Sequence, residues 1–171
     1  MKNIKRLLLI TILFVLFFST GCVSLTVANS KSKMRSFVRE HIDELDAVIC
    51  EVNLQYADEL RSDVVLDIKC ENLKDNCPAV EGFFSEYADK GFSTITILPG
   101  RFIELIKTGA TGNPWTYVGI YYSPNGVPYS FFDGEIIQKD DKSWEETQEG
   151  TDNYSQSELI LDKWYVFVLY Y

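Results

Sequence analysis

The chain has 171 residues, 46% of them hydrophobic and 14% aromatic, with 16 Lys and Arg against 25 Asp and Glu for a net charge of −9. This much apolar and aromatic content excludes a disordered chain, and the acidic balance argues against nucleic acid, whose phosphates demand basic patches. The length suits one domain after a leader, and the charge is compatible with a basic protein partner drawn in by electrostatic steering.

The first element is a targeting segment. Lys2, Lys5 and Arg6 form a basic start, and Leu7 to Phe18 is an apolar run. That run is shorter than the ~20 residues of a membrane-spanning helix. Ser19, Thr20 and Gly21 are the small residues that a signal peptidase accepts, and Cys22 follows them. Ser-Thr-Gly-Cys resembles the lipobox of bacterial membrane lipoproteins. The resemblance covers residues 1–22, and Ser19 departs from it, since that family prefers Leu there. It implies removal of residues 1–21, a diacylglycerol on the Cys22 thiol and an acylated (for example palmitoylated) amino terminus. It also implies a lipid-anchored place in the cell envelope. With Val23 and not Asp after the cysteine, that place is the outer membrane facing the periplasm if the cell is Gram-negative. A plain secretory signal is the alternative. Cleavage would remove three basic groups and leave 13 against 25 acidic ones, a charge of −12.

Residues 22–33 are expected to be the lipidated cysteine and a flexible tether, because Val23 to Lys33 is polar and without periodicity. About ten residues at ~3.3 Å each would hold the domain up to ~35 Å from the bilayer. Residues 34–171 are expected to form one globular domain. Met34, Phe37, Val38, Ile42 and Leu45 recur at three-to-four spacing, which predicts a helix over Lys33 to Ala47. Val48 to Tyr56 and Asp63 to Cys70 alternate apolar and polar, which predicts a hairpin around a loop at 57–63. Pro78 opens a helix that Gly91 ends. Phe92 to Leu98 reads as a strand, Arg101 to Lys107 as helical turns or a further strand, and 108–114 as a loop. Trp115 to Tyr122, Val127 to Phe132 and Glu135 to Lys139 read as a meander joined by Ser-Pro-Asn-Gly and Asp-Gly turns. Asp140 to Gln156 is polar and reads as a long exposed loop. Glu158 to Leu161 and Trp164 to Tyr171 end the chain on strands. So aromatic a terminal strand belongs in a sheet interior, since an exposed edge would aggregate.

These elements predict an α+β domain: a mainly antiparallel sheet with an N-terminal helix and short helices packed on it. A β-sandwich is the alternative. Three cysteines follow Cys22. In the oxidising compartment that the signal implies, Cys50, Cys70 and Cys77 are disulfide candidates. Cys70–Cys77, Cys50–Cys70 and Cys50–Cys77 are all open, and one thiol must remain.

His41 is the only histidine, and no GxSxG, SxxK or phosphate-cradling loop accompanies it. One His and dispersed Cys do not suit a zinc site, and the acidic stretch lacks the spacing of a calcium loop. No metal, cofactor or catalytic residue is therefore assigned, and no enzyme activity is expected. Trp115, Tyr117, Tyr121, Tyr129, Trp164 and Tyr165 are candidates for a binding face, because strands alternate faces and aromatics fall on both. The expected function is a lipid-anchored, non-catalytic protein-binding module, an assembly accessory or immunity-like protein, whose partner is an envelope protein of basic character. A binder of a small apolar or envelope-derived ligand is the alternative, and a carboxylate-based hydrolase stands behind both.

Overall fold

The computed structural model describes residues 25–62, 64–107 and 115–171. The signal segment, the lipidation site Cys22 and the loop expected at 108–114 lie outside the described residues. Eight antiparallel strands form one sheet in the order β1-β2-β3-β4-β8-β7-β6-β5. In chain order they are β1 (Leu66–Ile68), β2 (Ile95–Leu98), β3 (Phe102–Lys107), β4 (Thr116–Tyr122), β5 (Ile136–Asp140), β6 (Ser143–Thr147), β7 (Tyr154–Leu161) and β8 (Trp164–Tyr170). Three helices accompany them: α1 over 25–40, α2 (Ile42–Gln55) and α3 (Pro78–Tyr87). The fold is thus α+β with an antiparallel sheet, and one open sheet replaces the alternative sandwich.

β8 lies between β4 and β7, as its aromatic content requires. On one face of the sheet, Val118, Ile120, Trp164, Val166 and Val168 meet Val38, Leu45, Val48, Val52, Val80 and Phe84 from the helices. At ~25 cal/mol per Å² of apolar surface, this layer is the main source of stability. α3 begins at Pro78 as expected, and Glu51 of α2 accepts its Val80 amide at 2.8 Å. An acceptor there satisfies one of the unpaired donors at a helix start. Gly91, at φ 103°, closes the C-terminal end. The Phe92 amide reaches the Tyr87 carbonyl and the Gly91 amide the Ala88 carbonyl, the pairing of a Schellman cap.

Five sequence expectations are corrected. Residues 25–33 are helix, not tether. Val27 and Met34 are buried one heptad apart and Val38 follows at the next turn, a periodicity that the intervening polar residues conceal. The helix expected over Lys33 to Ala47 is two helices broken at His41. Val48 to Tyr56 is not a strand: Val48, Ile49 and Val52 are the buried stripe of α2, and helical spacing prevailed over alternation. Val127 to Phe132 forms no strand. Asp140 to Gln156 is not an open loop, because β6 and the start of β7 pair there. Glu145 and Glu146 lie side by side on β6, while Asp141, Lys142, Glu149 and Asp152 occupy the turns at its two ends.

Candidate functional site

The second face of the sheet carries an aromatic layer of its own. Phe102, Tyr121, Tyr165, Phe167 and Leu169 are buried there. Tyr121 and Tyr165 stack with centroids 5.0 Å apart and planes 2° from parallel. Phe167 lies across from Gly119, where a Cβ would come within 2.7 Å of its ring and of the Leu105 carbonyl. Only glycine admits that ring over the strand.

The chain covers this layer itself. Tyr129 and Phe131 pack on it, and three polar anchors hold their segment down. The Tyr165 hydroxyl donates to the Gly126 carbonyl at 2.7 Å, and the Tyr129 amide donates to the Tyr121 hydroxyl at 3.2 Å. Glu146 is the third anchor, and it is 2% exposed. It accepts from the Ser130 hydroxyl at 2.6 Å, the amides of Phe131, Phe132 and Gly134 at 2.8, 3.0 and 2.9 Å, and the Ser155 hydroxyl at 3.1 Å. Burial alone would raise its carboxyl, but these donors outweigh it and hold the group below its ordinary value. Asp133 takes a left-handed φ of 53°, which its short polar side chain tolerates. Gly134 can approach because it lacks a Cβ, which would lie 2.4 Å from the Thr147 carbonyl.

The six candidates for a binding face are therefore separated. Tyr121 and Tyr165 are sealed beneath the covering segment, and Tyr129 belongs to it. Trp164 is on the opposite, helix-packed face, where its indole donates to Asp46 at 3.1 Å. Trp115 and Tyr117 stay open, at 65% and 43% exposure. Tyr171, which the sequence reading did not single out, joins them at 53% exposure. Its ring meets Tyr117 and Phe132 edge-on, each at 5.7 Å, and its amide donates to the Trp115 carbonyl at 2.9 Å. The result is an exposed aromatic patch at one end of the sheet.

On the same face, with Glu104 opposite Tyr121, a polar row runs across β1, β2 and β3. Asp67, Thr96 and Glu104 are registered neighbours, and the Thr96 hydroxyl donates to Asp67 at 2.8 Å. Burial, and then the Asp67 carboxylate, push Glu104 up to about 7.

His41 sits at the α1–α2 break. The Tyr87 hydroxyl donates to Glu44 at 2.7 Å and lies 2.9 Å from His41 Nδ1. A hydroxyl has one proton, so His41 Nδ1 is the donor in the second contact. Tyr87's donation holds Glu44 below its ordinary value. Nearby, Ala47, Val48, Ala79, Gly82 and Phe83 line an open groove of about 270 Å³ between α2 and α3.

Cys50, Cys70 and Cys77 are all free in this structure. Cys50 lies on α2 and Cys70 in a 3-10 turn, so the expected hairpin of residues 48–56 and 63–70 does not set them on paired strands. Cys77 is buried, and burial followed by the Glu51 carboxylate pushes its thiol up, which disfavours the nucleophilic thiolate form. No helix among the described residues is long and apolar enough to cross a membrane. Compared with known protein families, curated proteins and solved structures, the chain matches none.

Proposed function

We propose that the protein is a lipid-anchored component of the cell envelope that acts by binding another protein and performs no catalysis. The observation that carries this reading is the open patch of Trp115, Tyr117 and Tyr171 with Phe132 at its margin. Every other aromatic of the second face is consumed by packing or tied to the covering segment. Exposed Trp and Tyr are the side chains that most often anchor protein interfaces. The acidity of the mature chain favours a partner of basic character and an association weakened by salt.

The test is crosslinked capture from envelope extracts with the anchored full-length chain, at low and high salt, beside a Trp115→Ala/Tyr117→Ala variant. A stoichiometric partner should be held by the wild type and weakened by salt. The double variant should hold it at least about tenfold more weakly, since hot-spot anchors contribute about 2 kcal/mol or more each. A partner held equally by both chains would remove the patch from the function. Absence of any partner at either salt would favour the second reading. In that reading the α2–α3 groove, with its apolar floor, takes a small apolar or envelope-derived ligand.

A further inference from the structure

Of the surfaces left over, one gains its meaning from α1. If Cys22 carries the anchor, as the proposed function holds, only three residue steps separate it from Leu25, the first described residue of the helix. Three steps span about 10 Å at most. Val27 at 5% exposure and Ser30 at 6% hold this end of the helix against the domain, so the folded body cannot ride far from the bilayer. The question becomes which face meets it.

The course of α1 answers that. Phe37 stacks on Phe92, just before β2, at 4.8 Å. Earlier in the helix, Arg35 and Lys31 both reach Glu158 on β7, Lys31 at 3.4 Å. Lys31 also shares a groove of about 320 Å³ with Lys139, Asp140, Lys142, Trp144 and Glu145 of the β5–β6 hairpin. The helix therefore crosses the sheet from the β5–β6 edge towards β2, and its N-terminal end lies at that edge. Leu25 is six residues before Lys31, about 9 Å along the axis.

That edge is chemically distinct. In an acidic chain, four basic groups (Lys31, Arg35, Lys139 and Lys142) gather beside three carboxylates (Asp140, Glu145 and Glu158). Exposed Leu25 and Ile137 flank them, and Trp144, whose ring packs on Tyr165, keeps a half-buried margin along the groove. Lysines suit lipid phosphates and carboxylates suit headgroup ammonium groups. Trp and aliphatic side chains favour the boundary between headgroups and acyl chains. The opposite strand end carries the aromatic patch: Ser143 follows the β5–β6 turn, while Thr147 ends β6 and leads through Tyr154 and Tyr170 to Thr116, next to Trp115.

We infer that the β5–β6 hairpin and the start of α1 form a docking surface for the phospholipid headgroups of the anchoring bilayer, which turns the Trp115 patch away from it.

The native tryptophans test this. Full-length chain is reconstituted into phosphatidylethanolamine and phosphatidylglycerol vesicles containing a headgroup-nitroxide lipid quencher. Its acyl mass is read by mass spectrometry and its binding by flotation. In a Trp115→Phe variant, the emission of Trp144 should be quenched. In a Trp144→Phe variant, the emission of Trp115 should not be, and buried Trp164 is the common background. Lys139→Glu/Lys142→Glu in the Trp115→Phe chain should relieve the quenching without loss of flotation. Acylated, floating protein with Trp144 unquenched, or with Trp115 quenched, would overturn the orientation and leave the anchor standing. A chain that carries no acyl mass and does not float would overturn both.

Discussion

Glu146 is a buried charge held by three backbone amides and two serine hydroxyls. Five donors converge on it, so its removal would strand several buried amides at once. Glu146→Ala should cost about 3 kcal/mol or more in denaturant unfolding, and hydrogen exchange should show residues 127–134 opening first. An unchanged midpoint would mean that the segment is held by its aromatics alone. Glu104 has the opposite character. Unfolded, it releases its proton near 4.5; folded, it keeps it until about 7. Below the first value both states are protonated and the group is neutral to stability. Between the two values stability falls as pH rises, and above 7 the loss is complete, roughly 3 kcal/mol at full burial. Glu104→Gln should therefore match the wild type near pH 4 and exceed it at pH 8. Parallel stability curves for the two chains would show that Glu104 ionises freely in the fold. Glu146, held below 4.5, contributes in the other sense: its stabilisation is present above that value and fades as pH falls further.

At the scale of elements, α1 is the part that alters the functional picture. Its first two turns hold Leu25, Thr26, Ser30 and Lys31, a composition that also suits a linker, and in isolation so short a helix is marginal. Burial of Val27 beside Met34 and Val38 fixes it. Amides of residues 27–33 should be protected from exchange in the full-length protein, and Val27→Asp should abolish that protection and destabilise the domain by about 2–4 kcal/mol. Fast exchange across 27–33 in the wild type would restore the tether and the long reach that goes with it. The covering segment shows a related effect. Val127 to Phe132 has the apolar content of a strand, yet its amides from Phe131 onward serve Glu146 and not a ladder.

At the scale of the molecule, the sheet has two covered faces made in different ways. Helices cover one face with mixed aliphatic and aromatic packing, and the stretch between β4 and β5 (residues 123–135) includes the segment that covers the other with aromatic rings. Self-coverage leaves few apolar side chains to act outward, so those that do are informative. The end of the sheet bearing Trp115 and Tyr117 is the face proposed for a partner. The edge bearing Lys31, Lys142 and Trp144 is the face inferred for the bilayer. A short link and two opposed surfaces would give an anchored protein a defined direction without a second membrane segment.

Local signals determined much of this by themselves. Pro78 and Gly91 bracketed a helix because each imposes its own backbone geometry. Phe92 to Leu98 and Trp164 to Tyr171 announced strands through β-branched and aromatic content, and the apolar terminal strand had to be interior. The N-terminal pattern of charge, apolar run and Cys22 supplied the anchoring hypothesis. Tertiary structure alone decided the rest. Val48 to Tyr56 satisfied two periodicities, and only the sheet beneath selected the helical one. Glu146 looked like one more acidic residue in a polar stretch until residues 130–134 brought their amides to it from a different part of the chain. Trp115 and Trp164 were alike as sequence, but Trp164 opens β8 on the face that the helices cover, while Trp115 sits just ahead of β4 and stays exposed, because burial depends on what is packed against a residue.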